Sequence, residues 1–334
     1  MDDQASADAQ KLGAASNTSD EVRVFFDRVS SEIAKVVVGQ EELVTTALIA
    51  LVSGGHVLIE GVPGLGKTLF VKTLGRVIGC KFGRIQFTAD LMPSDVTGAP
   101  IFDMKLQDFR FRPGPVFVQL LLADEINRSP AKTHAALLEI MQESRVTIDG
   151  VTHPVPSPFL VFATQNPLES EGTYSLPEAQ LDRFMFLVEL DYPNEEEEIQ
   201  IARTTTGDDM VKLQGVLSGE EILHYQRLVR RIPVADHIYE YAAKLVRKTR
   251  PQSSTAPDWL KPFVSWGAGP RAVQNLILGA KSRAALQGSY MVRLEDVQYV
   301  AKPVLVHRLI TTFAAQAEGV SAKQIVSRLI DETR

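Results

Sequence analysis

Apolar positions recur along this chain in two rhythms, and their alternation predicts its architecture. Residues 20–34 carry Val22, Phe25, Phe26, Val29 and Ile33 at helical spacing, which gives one apolar face. Residues 41–53 predict a second helix, whose Ala and Leu content suits packing against a sheet. Short apolar runs follow at 56–60, 84–88, 116–123, 159–163 and 184–190, and the run 116–123 is continuous, as a strand covered on both faces requires. Helices predicted at 69–78 and 132–143 fall between them. Strands alternating with helices predict an α/β three-layer sandwich around a largely parallel five-stranded sheet.

Two stretches break the rhythm. Residues 89–114 are punctuated by Pro93, Gly98, Pro100, Pro113 and Gly114, with short hairpin strands expected at 101–103 and 109–111. Lying between two core strands, they form an insertion. Residues 145–153 alternate around Asp149-Gly150, a strong hairpin signal. Past Asp191 the pattern turns helical: Asn194 can cap a helix whose first turn holds Glu195 to Glu198, favourable at the positive end of the dipole. That acidic run therefore has a local structural reading. Further helices are expected at 219–231, 235–249, 270–287, 294–308 and 322–332. The chain divides into a loose tail at 1–19, an α/β core domain at 20–191 and an all-α domain at 192–334.

Composition narrows the partners. A chain of 334 residues suits two domains, and 35 basic against 41 acidic residues leave a net charge of −6, so no global field draws it to nucleic acid or an anionic membrane. The single cysteine, Cys80, excludes an internal disulfide and a thiolate metal cage, which fits a reducing compartment. No run approaches the ~18 apolar residues of a membrane helix, and the acidic N-terminus is unlike a signal peptide. The cytoplasm is the expected address.

Chemistry concentrates at residues 61–68, Gly-Val-Pro-Gly-Leu-Gly-Lys-Thr, which fit the pattern G-x-x-x-x-G-K-[ST] between a predicted strand and a predicted helix. Glycines let consecutive backbone N–H groups converge with a helix N-terminus on one anion. Lys67 adds a cation, and the Thr68 hydroxyl offers a hard oxygen to Mg²⁺. The pattern arises by chance in roughly one chain in a hundred of this length. The run 116–123 ends in Asp124-Glu125, which suits a metal ligand followed by a general base; the plainer alternative is two carboxylates solvated at a strand end. Asn166 follows another buried strand and could align a water or simply make a turn before Pro167. Arg183 and Arg271 suit a developing phosphoryl charge, or equally a carboxylate partner.

The motifs Asp124-Glu-Ile-Asn-Arg128, Ala163-Thr-Gln-Asn-Pro167, Glu171-Gly172 and Leu176-Pro-Glu-Ala-Gln-Leu-Asp-Arg-Phe184 together resemble the MoxR group of AAA+ ATPases, over nearly the whole chain. The resemblance implies a P-loop fold followed by a helical lid, and an ATP hydrolase using ATP and Mg²⁺. Gly61, Val62, Pro63, Gly64, Leu65, Gly66, Lys67 and Thr68, with Leu69, are similar to the Walker A nucleotide loop, and Gly39 and Gln40 to a segment near the adenine. Asp124 and Glu125 resemble Walker B, with Thr68 and Asp124 toward the metal. Asn166 resembles sensor 1, Arg183 the arginine finger inserted into a neighbour's site, and Arg271 sensor 2, which reaches the γ-phosphate from the lid. The insertion and the hairpin resemble elements that face a central pore. Gln86 is placed either as a nucleotide-sensing contact of Glu125 or as an ordinary cross-strand pair, and Arg128 near a neighbouring subunit. The one departure is Gly-Ala-Gly-Pro-Arg271, where relatives often carry Ser before Pro.

What the resemblance implies in function is a homo-oligomeric motor, a hexameric ring in such proteins, that remodels or matures client proteins or assists metal or cofactor insertion. It acts beside a separate partner with a von Willebrand factor A domain. Two other classes remain open from sequence: a nucleic-acid motor, against which the acidic balance and the missing DNA-binding module argue, and a nucleotide-gated switch, against which Glu125 argues.

Overall fold

The computed structural model describes residues 19–166, 173–207 and 211–333. The expected tail, apart from Ser19, and Pro167, Glu171 and Gly172 of the quoted motifs lie outside the described residues. Residues 19–33 form α1 and Glu41–Ser53 form α2. β1 (Val57–Glu60) leads through the glycine loop into α3 (Lys67–Val77), and β2 (Phe82–Gln86) follows. A short helix α4 (Pro93–Thr97) and the antiparallel pair β3 (Gly98–Asp103) and β4 (Asp108–Pro113) make the insertion. Then come β5 (Leu120–Asp124), a 3₁₀ turn at Ile126–Arg128, α5 (Ala131–Glu143) and the hairpin β6 (Arg145–Ile148) and β7 (Val151–Pro154). β8 (Leu160–Gln165), α6 (Glu178–Leu181) and β9 (Phe186–Glu189) complete the core.

The sheet runs β2-β5-β8-β1-β9, and every pairing in it is parallel. All five carboxyl ends therefore share one edge, where open α/β sheets bind ligands. Alternation of period two sorts the strand residues between two cores. Val57, Ile59, Leu120, Leu122, Phe162 and Phe186 pack with α1, α2 and α3 on one face, whereas Leu58, Leu121, Ala123, Val161 and Leu187 pack with α4 and α5 on the other.

Beyond the sheet lie α7 (Glu195–Thr205), α8 (Gly219–Arg230), α9 (Asp236–Lys248), β10 (Val264–Trp266), α10 (Pro270–Leu286) and α11 (Leu294–Leu305). A 3₁₀ turn at Val306–Arg308, β11 (Ile310–Thr311), α12 (Phe313–Ala317) and α13 (Ala322–Glu332) close the chain. α8, α9, α10, α11 and α13 join the same core as α2, with α8 and α10 laid against it and α11 against β9. Asn194 caps α7 as its sequence requires: its side chain accepts from Glu197 N at 3.0 Å, and its own N–H donates to the Glu197 carboxylate at 2.9 Å.

The expected strand at 116–123 forms only from Leu120. Val118 N–H donates to Val116 O at 2.8 Å in a tight turn, and the chain joins the sheet edge through Gln119 and Leu120 N–H groups on Lys81 O. Val116 and Val118 are buried all the same, so the apolar run signalled burial rather than extension. The helical region also contains the antiparallel ladder β10–β11, which no periodicity announced. The helix expected at 294–308 ends at Leu305 and tightens into the 3₁₀ turn that carries Arg308.

Candidate nucleotide site

At the carboxyl edge of the sheet the loop after β1 turns back on itself. Gly64 and Gly66 adopt φ of 91° and 75°, left-handed values at which a side chain would be strained, and a Cβ on either would meet nothing within 4 Å. Open space thus lies beside the loop where its N–H groups and the start of α3 converge. Lys67 folds its amine back onto Gly61 O. Thr68 Oγ1 donates to Asp124 Oδ2 at 3.3 Å, which brings two hard oxygens from β5 and α3 together. The donor set and the open cradle fit a nucleotide phosphate chain with Mg²⁺, and Thr68 and Asp124 would hold the ion.

The two acidic residues are held differently. Asp124 is buried: Oδ1 accepts from Thr164 Oγ1 at 2.6 Å, and Oδ2 accepts from Arg84 at 2.7 and 3.1 Å. Glu125 takes φ of 56°, a left-handed conformation uncommon outside glycine, and its N–H is anchored on Thr164 Oγ1 at 2.9 Å. That turn swings its carboxylate away from Asp124. Gln86 Nε2 donates to Glu125 Oε2 at 2.7 Å, and Arg128 pairs with the same oxygen at 3.1 Å. Gln86 is thus a cross-strand neighbour of Asp124 and contacts the Glu125 carboxylate. Asn166 follows β8 at the same edge and is buried. Just below, Glu60 and Gln165 are hydrogen-bonded; burial pushes the Glu60 carboxyl up, the Gln165 bond opposes this, and Glu189 adds to it.

Beside the loop opens a cleft of about 540 Å³, walled by Val36, Val38, Gln40, Pro63, Leu65 and Leu69 on one side and by Tyr192, Ile201 and Ala202 on the other. Gln40, at φ 57°, donates from Nε2 to Leu65 O at 2.8 Å and so ties the 38–40 segment to the glycine loop. Gly39, at φ 68°, is pressed against the Glu197 carboxylate, so a side chain there would displace the cap of α7. A flat apolar slot next to a phosphate cradle suits a purine ring.

The two arginines do not join this group. Arg183 lies three residues before the start of β9, which runs in register with β1 from Val57↔Phe186 to Glu60↔Glu189. It therefore lies at the amino edge of the sheet, separated from the glycine loop by at least the length of β1, about 13 Å. There it lines a different cavity of about 480 Å³ with Thr97, Glu139, Glu143 and Arg145. Arg271, at the start of α10, is beside it: Nη1 donates to Asp182 Oδ2 at 3.0 Å. So Lys67, Thr68, Asp124, Glu125 and Asn166 converge, whereas Arg183 and Arg271 form a second group at the opposite edge. Sequence reasoning missed Arg84, Thr164, Asp182 and Arg308. Thr164 and Asp182 stood within quoted motifs, and Arg84 shares a strand face with Gln86 two positions on, whereas Arg308 had no signal.

This fold and site define the chain as a P-loop ATPase of the AAA class: the family model of ATPases associated with various cellular activities (AAA) matches residues 56–186, and that of the AAA lid domain matches residues 259–329. The chain is 43% identical over 318 residues to chaperone MoxR1 of Mycobacterium tuberculosis, covering 95% of this chain and 84% of that protein. It is 30% identical over 337 residues to MoxR of Paracoccus denitrificans, covering 95% and 96%. A crystal structure of a candidate ATPase from Cytophaga hutchinsonii matches with a TM-score of 0.90 at 40% identity, covering 97% of this chain and 98% of that one. The chain belongs to the MoxR family of chaperone-like AAA+ ATPases. No helix among the described residues is long and apolar enough to cross a membrane.

Proposed function

We propose that this chain binds ATP with Mg²⁺ and hydrolyses it between copies of itself, in a ring that remodels client proteins. The observation that carries the reading is the division of the charged groups between the two edges of the sheet. A guanidinium at the amino edge cannot reach the phosphates held at the carboxyl edge of the same chain, but a second copy docked head to tail can supply one. Arg183 then acts as the finger on the neighbour's nucleotide, and Arg271 accompanies it rather than serving its own cleft.

In each cleft the loop N–H groups and Lys67 bind and orient the phosphates, and the Pro63–Leu65 and Tyr192 walls hold the base. Mg²⁺ supplies charge neutralisation on the phosphoryl oxygens, through Thr68 and Asp124. Glu125 takes the proton of the attacking water once Gln86 and Arg128 release its carboxylate, and Asn166 aligns that water. The tip of the inserted hairpin favours a polypeptide client: Ile101, Phe102, Met104, Leu106 and Phe109 are all exposed. The arginines nearby are partly neutralised, Arg110 by Asp103 and Arg145 by Glu143, which disfavours a nucleic-acid track. A hexamer, a von Willebrand factor A domain partner and a cytoplasmic address complete the proposal.

Arg183→Ala tests it. Turnover should fall about 10³-fold or more while ATP binding stays within twofold, because a finger acts on the transition state. Equal loss of binding and turnover contradicts the reading.

A further inference from the structure

Resting on that reading, we propose that Arg308 is a positioning residue: through Asp182 and the backbone around Arg183, it fixes the two arginines that one copy offers to its neighbour's nucleotide. Arg308 closes the 3₁₀ turn after α11, and only 2% of its side chain is exposed. Burying a guanidinium costs several kcal/mol unless its N–H groups are met. Here Nε and Nη2 are met by the segment that carries Arg183, and Nη1 is shared between that segment and Val304 O and His307 Nε2 of its own turn. Nε donates to Asp182 Oδ1 at 2.8 Å; Nη2 donates to Asp182 O at 3.0 Å and to Phe184 O at 2.7 Å; Nη1 reaches Met185 O at 3.4 Å and also Val304 O.

The carbonyls of residues 182, 184 and 185 bracket Arg183, and the fork that holds them comes from the helical domain. Asp182 is bivalent: while Oδ1 takes Arg308, Oδ2 takes Arg271 at 3.0 Å. One carboxylate therefore sets the spacing between Arg271 and the backbone of Arg183. On its β9 side the segment is anchored by the buried Phe184 and Met185 and by Met185 N–H on His56 O at 2.8 Å. On its other side α6 is a single turn with no buried residue and no side-chain cap, which leaves Arg308 to hold Asp182 there. A finger must be placed tightly, because an error of about 1 Å at a catalytic group can cost around 10²-fold in rate. A lysine cannot replace the fork, having three donors on one point instead of a planar array. It follows that a movement of the helical domain is felt at the Arg183 backbone as well as in the chain's own cleft, whose far wall includes Ile201 and Ala202 of α7.

The test uses full-length chains. Arg308→Gln, or Arg308→Lys, should lower turnover at least tenfold while leaving the ATP concentration for half-saturation within twofold. It should then be mixed with Glu125→Gln, which has an intact finger face and a dead cleft. Where the two meet with the Arg308→Gln cleft facing the Glu125→Gln finger, the site is complete; random mixing makes roughly a quarter of interfaces of that kind, so turnover should rise toward a quarter of wild type. Arg183→Ala mixed with Glu125→Gln is the control. Recovery in the control but not with Arg308→Gln, or wild-type turnover of Arg308→Gln alone, overturns the role of Arg308 and leaves the shared site standing. No recovery in the control overturns the shared site itself. Should Arg308→Gln fail to fold, Asp182→Asn, which keeps the guanidinium on its carbonyls and cuts the bridge to Arg271, carries the same comparison and the same outcomes.

Discussion

At the scale of single residues, the site is defined by what already occupies its acids. Asp124 Oδ2, the oxygen nearest Thr68, is also the oxygen that Arg84 holds, so the Mg²⁺ proposed for this place would compete with a guanidinium for one atom. Arg84 is about half exposed, so the pair contributes at most about 1 kcal/mol. Arg84→Ala should accordingly lower the Mg²⁺ concentration for half-maximal MgATP binding about two- to fivefold, read by titration with a fluorescent nucleotide. An unchanged or higher requirement would show that Arg84 does not compete for the metal oxygen. The glycine loop and Asp124-Glu125 were legible in the sequence because their chemistry is carried by consecutive residues. The cluster of Arg271, Asp182 and Arg308 was not, since its hydrogen bonds span 89 and 126 positions and no spacing rule reaches so far. Cys80 is buried, and burial pushes its thiol up to about 11.

At the scale of elements, His56 shows how the first strand is locked to its neighbours. Its Nδ1 accepts from Val161 N–H at 3.0 Å, at the start of β8, while Nε2 bonds Met141 O at 3.1 Å, at the end of α5. Both nitrogens are thus committed in a neutral ring, and a second proton would set an N–H against the Val161 N–H. Burial lowers its pKa from about 6.5 to about 4, with the Met141 bond opposing. The sign follows directly: the unfolded chain takes up the proton first as pH falls, so this stabilisation is complete above about pH 6.5 and is lost between pH 6.5 and 4. The loss is at most about 3 kcal/mol. Urea unfolding at a series of pH values should show that slope, and His56→Gln should flatten it; a slope unaltered by the substitution would remove His56 as its source. Long elements with clear periodicity, α2 and α13 above all, were legible to the residue. β10 and β11, of three and two residues, are too short to repeat an alternation of period two and are made by pairing across about 45 positions, as the Ser265 hydroxyl bond to Ile310 O illustrates. The inserted hairpin is tied to the β6–β7 hairpin by a stack of Phe111 on His153 at 4.1 Å, a contact equally invisible to spacing.

At the scale of the whole molecule, the parallel sheet is what separates the two halves of the chemistry. Its carboxyl edge carries Lys67, Thr68, Asp124 and Glu125, and its amino edge carries Arg183; under the proposed function a lone chain therefore holds every part of the site and cannot assemble it. The helical domain, packed against α2 and β9, adds Arg271 and Arg308 to the amino edge. The class of the protein was legible from sequence because the motifs name a fold whose strand order is fixed; the split between edges required the register of β9 against β1. Turnover per chain, followed as the protein is diluted from micromolar to low nanomolar with MgATP saturating, tests this most directly. The account predicts that the rate per chain falls toward zero as copies separate, in step with loss of the assembled species by mass photometry, whereas a constant rate from monomers would contradict it.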